Sequence, residues 1–214
     1  MKVSREGGET ADVECDIGDT VESIAAVIGL DPIDYGQWLT LLRDDPESAP
    51  KQKEPFKQKR HFSVPNTIAV YRTRRAQDPQ VPVPQWEVHV QYLKDRGFNV
   101  VVSDNYDVKE KLGPLAMQRR LVQLVDKKVL HGFLYHGHGR ASVLTPGPSL
   151  THMGEEQLNR SVASLKYKLA FVLILGCTGN ALEPDLCSGT ASSKFYNSEW
   201  AMKQLINEHL PPGA

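Results

Sequence analysis

Two apolar runs, VLHGFLYHGHG at residues 129–139 and KLAFVLILGC at residues 168–177, decide the fold of this chain. Both are rich in Val, Leu, Ile and Phe and break off at glycine, as expected of strands that are buried on both faces of a parallel sheet. The first run closes on His138 and the second on Cys177. We therefore expect these two side chains at the same edge of the sheet, where functional residues of open α/β sheets collect.

Further strands and helices alternate around these runs and predict a three-layer αβα sandwich with a mainly parallel sheet, an α/β fold. We predict that its four strands lie in the order second, first, third, fourth. The additional strands are predicted at residues 67–71 and 98–104, and the helices at 86–97, from Pro114 and at 154–165, with Gly97 ending the first of them.

A small α+β module is predicted for residues 1–42. A strand over residues 13–17 leads through Gly18-Asp19-Thr20 into a helix, and a second helix is predicted near residues 33–41. Asp19 and Glu22 are the expected capping pair of the first helix, and Gly29 its end. This order and the Gly-Asp-Thr turn resemble LysM modules, which implies binding of N-acetylglucosamine glycans; a plain helical cap without that role is the alternative.

The segment over residues 43–61 is dominated by charged residues, Pro and Gln, which predicts a solvated linker. We expect it to separate the core of the first module from that of a second domain over residues 62–214. HFSVP at residues 61–65 could return as a strand that closes the first module, which would place the junction near Pro65.

Net charge, apolar runs and the number of cysteines limit the partners, the location and the disulfides that we expect of this chain. A formal charge of −1 with dispersed Lys and Arg predicts neither a nucleic acid nor a membrane as a partner. The N-terminus has no apolar core of a signal peptide and no run is long enough to span a bilayer, so we expect a cytoplasmic protein. Three cysteines, an odd number at no metal-like spacing, do not predict a disulfide framework.

A thiol beside an imidazole is a nucleophile and base pair, because the histidine takes the thiol proton and the thiolate attacks a carbonyl. Glycines flank both candidate residues, at Gly137 and Gly139 around His138 and at Gly176 before Cys177. Glycine lets a substrate backbone approach closely and leaves amide groups free to face a developing oxyanion. The pattern indicates acyl-transfer chemistry.

The motifs Tyr135-His136-Gly137-His138-Gly139 and Leu175-Gly176-Cys177-Thr178-Gly179 resemble those of the caspase, separase and CHAT group of cysteine peptidases. The resemblance covers roughly residues 67–180. It implies a thiol protease, a hydrolase that acts on a protein or peptide substrate without a metal or cofactor. It also implies His138 and Cys177 as the catalytic pair and the backbone amides of Gly139 and Cys177 as the oxyanion hole.

Several alternatives stay open beside this interpretation. Arg74 and Arg75 follow the first strand, where caspases place an arginine that binds an acidic substrate side chain, although a solvated loop is the simpler reading. The His136-x-His138 spacing also suggests zinc, but no carboxylate motif accompanies it. We expect His136 to face away from Cys177. The Gln-Ala-Cys caspase signature is absent, so a degenerate caspase-like adaptor is the alternative function.

Overall fold

The computed structural model describes residues 1–42, 50–73, 90–105, 114–136, 139–140, 143–144, 153–154 and 166–175. Within these ranges the chain forms an antiparallel sheet near the N-terminus, a parallel sheet after it, and a third sheet of very short strands. The mixture of helices and strands confirms an α/β protein. No helix in the same ranges is both long and apolar enough to cross a membrane.

The antiparallel sheet has four strands in the order β1-β2-β4-β3. On β2 the alternate residues Ala11, Val13 and Cys15 are buried, which is the period of a sheet that turns one face to a core. The strands are Lys2–Ser4 (β1), Thr10–Cys15 (β2), Thr40–Leu41 (β3) and Arg60–Pro65 (β4).

The first helix, α1 (Val21–Ile28), lies where the sequence predicts it, but its cap is different. Thr20 Oγ1 accepts a hydrogen bond from the backbone N of Ser23 at 3.1 Å, and Ser23 Oγ accepts one from the N of Thr20 at 3.0 Å. This reciprocal pair is a capping box. The prediction of Asp19 and Glu22 as the capping pair is wrong, because the Asp19 carboxylate instead accepts from the backbone N of Asp16.

The second predicted helix is shorter than expected. It consists of a 3₁₀ turn at Pro32–Asp34 and one helical turn, α2 (Tyr35–Trp38), after which the chain enters β3. Trp38 is fully buried, and its indole N donates to the carbonyl of Asp31 at 2.8 Å. The module therefore has two strands, two short helical segments and two strands in sequence order, and β4 returns to pair with β2.

Most residues in the described part of the predicted linker, residues 50–61, are exposed, but the segment is attached to the module. Phe56 is buried, and its ring centroid lies 5.4 Å from that of Phe62 on β4. Its backbone N donates to the carbonyl of Asp19, and its carbonyl accepts from the N of Gly18. Hydrophobic burial of one aromatic ring therefore holds this otherwise polar segment against the module.

The boundary at residue 62 also needs correction. Residues 60–65 form β4, which pairs with β2 from Cys15↔Arg60 to Thr10↔Pro65, so residue 62 lies inside a strand of the first sheet. The return of HFSVP as a closing strand is confirmed. The chain passes from one sheet to the other at Asn66, the single residue between β4 and β5.

The parallel sheet follows the predicted order: second, first, third and fourth strands of this part of the chain lie side by side as β6-β5-β7-β11. All three pairings are parallel. The strands are Thr67–Thr73 (β5), Asn99–Asn105 (β6), Leu130–His136 (β7) and Phe171–Leu175 (β11). Three short strands that lie between β7 and β11 in the sequence are described with the candidate site.

Within the described part of the chain, two helices connect strands of this sheet: α3, described over residues 90–95, and α4 (Pro114–Asp126). Gly97 ends α3 as predicted, with φ 78°. The N of Gly97 donates to the carbonyl of Lys94 and the N of Phe98 to that of Leu93, the two bonds of a Schellman motif. The helix predicted over residues 154–165 lies outside the described residues, apart from Gly154.

The N-terminal module lies against the amino ends of the parallel strands. Asn66 is fully buried, and its Nδ2 donates to the carbonyls of Gly8 at 3.0 Å and Gly97 at 2.9 Å. Thr67 Oγ1, at the start of β5, donates to the carbonyl of Glu9. Because Gly97 precedes β6 and Asn66 precedes β5, these bonds tie the module to the edge opposite the one where the strands end.

The two parts share one hydrophobic core. Buried residues of α1 and β2 belong to the same contiguous cluster as buried residues of β5, β7 and the start of β11. The expectation of two cores separated by a linker is therefore wrong. Contacts between the module and the sheet extend the core across the junction.

His131 lies at this junction and is fully buried. It is the extra residue of a bulge on β7, because Thr67 pairs with Leu130 whereas Ile68 pairs with Gly132. Its ring centroid lies 5.3 Å from that of Phe98 and 6.3 Å from that of Phe171. Burial, together with the nearby Arg5 guanidinium, lowers the pKa of His131 from 6.5 to about 3.

We expect this buried histidine to make the protein acid-sensitive. A folded-state pKa below the unfolded value means that stability is complete above about pH 6.5 and is lost as pH falls toward pH 3. Between pH 7 and pH 5 the expected loss is about 2 kcal/mol. His131→Phe should remove this part of the pH dependence in urea unfolding curves. His61→Phe, at an exposed position of β4, controls for the loss of one histidine; equal slopes for the two variants would contradict the assignment.

Candidate active site

The carboxyl ends of the four parallel strands define one edge of the sheet. Register places the ends of three of them in a row: Arg72, one residue before the end of β5, pairs with His136 of β7, and His136 pairs with Leu175 of β11. Functional residues of open parallel sheets collect at this edge because side chains and loops from several strands meet there. Three chain segments with candidate residues leave the sheet here.

The two residues predicted to be catalytic lie outside the described residues. In sequence, His138 follows the end of β7 by two residues and Cys177 follows the end of β11 by two residues. The structure makes β7 and β11 adjacent and parallel, with their last residues paired. The strands that lead to His138 and Cys177 are therefore direct neighbours in register.

The ring of Phe171 covers Gly132 at the start of the β7 and β11 pairing. A Cβ atom built on Gly132 would lie 2.7 Å from Phe171 Cε1 and 2.8 Å from Cζ. Real side chains do not approach so closely, so a glycine is needed under the ring. Just before this pair, the N of Ala170 donates to the carbonyl of His131 at 2.9 Å, and the hydroxyl of Tyr167 donates to that of Leu130 at 2.7 Å.

Gly139, the predicted oxyanion-hole glycine, lies in a short strand that the sequence did not predict. β8 (Gly139–Arg140) pairs with β9 (Val143–Leu144), and β9 pairs with β10 (Met153–Gly154), all antiparallel. Strands of two residues leave no periodicity in a sequence, which is why this sheet was missed. The clustering of Val143 and Leu144 is the one signal that could have indicated it.

Arg74 and Arg75 also lie outside the described residues. They directly follow Thr73, the last residue of β5, which pairs with Asn105 at the end of β6. Their proposed contact with an acidic substrate side chain stays a prediction.

His136 is the last residue of β7. Residues two apart in an extended strand face the same side of a sheet, so an extended chain through residue 138 would put His136 and His138 on one face. Strand geometry therefore does not support the expectation that His136 faces away from Cys177, which stays a prediction because residue 138 lies outside the described residues. For this reason His136 does not serve as a control for His138.

Cys15 provides a reference thiol within the same protein. It is a free, fully buried cysteine on β2, in the first sheet. Burial, followed by the nearby Asp19 carboxylate, raises the pKa of its thiol to about 12. A thiol that stays protonated is a poor nucleophile, so Cys15 is a packing residue.

Among the described residues no group of three or more His, Cys, Asp and Glu side chains could hold a metal ion. The sequence matches no known protein-family profile, and no curated protein matches it. The case for a function therefore depends on the motifs and on the strands that carry them.

Proposed function

We propose that this protein is a cysteine endopeptidase-like hydrolase with a three-layer, caspase-like second domain and a catalytic pair of His138 and Cys177. The observation that carries the proposal is the register of β7 and β11, in which His136 pairs with Leu175. Both motifs thus leave the same edge of the sheet from adjacent strands.

Strand spacing supports contact between the two candidate side chains. Neighbouring strands lie about 4.8 Å apart, and two residues of chain reach at most about 7 Å. A thiol and an imidazole that start from paired strand ends can therefore come within hydrogen-bond reach. Strands separated by another strand, or ending at opposite edges, would not allow it.

The proposed reaction begins when His138 takes the proton of the Cys177 thiol and the thiolate attacks the carbonyl carbon of a peptide bond. Backbone amides of Gly139 and Cys177 donate hydrogen bonds to the oxyanion that forms. His138 then protonates the leaving amine, and water hydrolyses the thioester to release the acid and restore the thiol. The substrate is a protein or peptide, and no metal or cofactor takes part.

The N-terminal module contacts the amino ends of the parallel strands. This position keeps it away from the proposed catalytic edge. Substrate would approach the opposite edge. The second candidate function, a non-catalytic caspase-like adaptor, is favoured by the missing Gln-Ala-Cys signature. Thiol reactivity separates the two functions.

At neutral pH we expect Cys177 to react with iodoacetamide at least about tenfold faster than Cys15 or Cys187, because a neighbouring imidazolium lowers a thiol pKa. His138→Ala should abolish this preference. Brief alkylation followed by peptide mapping of all three cysteines measures the relative rates within one molecule.

His61→Ala, at an exposed position of β4, is the control and should leave the rate at Cys177 unchanged. Equal alkylation of Cys177 and Cys187 in the wild-type protein would favour the adaptor. Cleavage of a denatured-protein substrate that Cys177→Ala abolishes would establish the peptidase.

A further inference from the structure

We infer that Phe171 seated on Gly132 locks the register of β11 on β7, and that Phe171 is thereby a positioning residue for the Cys177 and His138 pair. The inference depends on the proposed function for its catalytic consequence, but not for the lock itself. It is carried by the contact between the Phe171 ring and the Gly132 backbone.

The register of β11 needs such a device. Its sequence, FVLIL, is a uniform apolar run, and among the described strands it pairs with β7 alone. A slide by two residues would keep the same residues on the same faces, so the hydrophobic pattern does not oppose it. A uniform apolar strand held by one described neighbour needs a specific contact to fix its register.

Gly132 supplies that contact because it is the one position in its row without a side chain. The register partners of Phe171, Leu173 and Leu175 on β7 are Gly132, Leu134 and His136. If β11 slid by two residues toward the carboxyl edge, Phe171 would lie beside Leu134. The Cβ of Leu134 would then occupy the space that the Phe171 ring needs and that Gly132 leaves open. An aromatic residue over a neighbouring glycine is a known way to set register.

Two hydrogen bonds at the amino end of this strand pair also oppose a slide of β11 along β7. The backbone N of Ala170 donates to the carbonyl of His131, and the buried hydroxyl of Tyr167 donates to that of Leu130. Any slide would break both and leave buried polar groups without partners. Register is therefore set at the amino end of the pair and transmitted along the strands.

A change of register would have its effect at the carboxyl ends of β7 and β11. A slide by two residues moves one strand end past the other by about 6.6 Å. A thiol and an imidazole within hydrogen-bond reach would be separated by such a shift, so the lowered thiol pKa would be lost.

The test uses three variants of the full chain: Gly132→Ala, which adds a Cβ under the ring; Phe171→Leu, which removes the ring; and the double variant, which removes the conflict. Backbone NOEs between β7 and β11 in an isotope-labelled sample measure register. The pH dependence of Cys177 alkylation by iodoacetamide measures thiol pKa. Val13→Ala, a buried substitution on β2 away from this pair, controls for lost stability.

We expect Gly132→Ala to lose or shift the wild-type NOEs and to slow Cys177 alkylation at pH 6 about tenfold for each unit by which the thiol pKa rises. The double variant has no ring to clash with the new Cβ but also no ring to set the register, so it should show the same mixture of registers as Phe171→Leu, and Val13→Ala should change neither readout. The lock would be overturned if Gly132→Ala kept the wild-type NOEs and the wild-type pH dependence of Cys177 alkylation, or if the double variant kept a single wild-type register.

If Gly132→Ala does not fold, Phe171→Leu decides the case. The lock predicts a mixture of registers in Phe171→Leu, and a single wild-type register in that variant would contradict it. If alkylation of wild-type Cys177 has the pH dependence of an ordinary thiol, the proposed function is wrong, and so is the role of Phe171 in positioning the catalytic pair. The NOEs still decide independently whether the ring sets the register.

Discussion

Gly97→Ala is expected to lower the free energy of unfolding by about 4 kcal/mol. Two costs add at this position. Its φ of 78° is a left-handed conformation that alanine adopts only with strain. In addition, a Cβ would overlap the backbone of Arg5, much closer than van der Waals contact allows, with the carbonyl oxygen nearest. A backbone atom cannot move aside as a flexible side chain can, so the module must shift on the sheet.

Gly18→Ala separates the two costs. Gly18 has φ 94° and nothing within 4 Å of the position of a Cβ, so alanine there pays for conformation only, about 1 kcal/mol. Guanidinium unfolding of both variants, followed by circular dichroism, gives the difference. If Gly97→Ala were no more destabilised than Gly18→Ala, the close approach of Arg5 to Gly97 would be refuted.

Asn66→Asp should cost about 3 to 5 kcal/mol at pH 7, although the two side chains have nearly the same shape. The amide N of Asn66 donates to two carbonyls, of Gly8 and Gly97, at a fully buried position. An aspartate would place a carboxylate oxygen against one or both of these oxygens with no donor between them. The loss combines two hydrogen bonds with an uncompensated buried charge.

The pH dependence of this variant gives a second readout. Burial raises the pKa of a carboxyl group, so the folded variant prefers its protonated form. Its deficit relative to the wild-type protein should therefore shrink as pH falls toward the unfolded carboxyl pKa of about 3.9 and be largest above the raised folded value. Unfolding curves of both proteins at pH 7 and pH 4.5 measure it.

Asn99→Asp is the matched control. Asn99 is half-buried, and its Nδ2 donates a single hydrogen bond, to Thr67 Oγ1 at 3.0 Å. The same change of amide to carboxylate should cost there about 1 kcal/mol, the value of one partly exposed bond. Equal losses at the two positions would mean that Asn66 does not join the module to the sheet.

These two positions have a common consequence for folding. Asn66 and Gly97 both bind the N-terminal module to the amino ends of the parallel strands, and the core continues across them. We therefore expect the N-terminal module and the parallel sheet to unfold together. This joint behaviour follows from the contacts and replaces the expectation of two independently folding segments.

The proposed function depends on the opposite edge, where the carboxyl ends of the parallel strands lie. The parallel pairing was predicted from apolar runs and the helices between them, and the structure confirms it together with the predicted strand order and the adjacency of the two motif-bearing strands. Burial and parallel pairing follow from local patterns, since a run of Val, Leu and Ile indicates a buried strand and a crossover helix makes the next strand parallel; the lateral order of the strands does not. The ends of α1 and α3 were equally predictable, because glycine in a left-handed conformation is a local signal.

The relation between the two sheets could not be predicted in this way. Asn66 and Gly8 are 58 positions apart, and no periodicity connects them, so the sequence shows neither their hydrogen bond nor the shared core. Phe56 was missed because one apolar residue within a charged segment leaves no pattern, although its burial against Phe62 closes the module. Local propensity and period determine which segments become strands and helices; long-range packing determines which segments meet, because only the folded chain brings their atoms within contact distance.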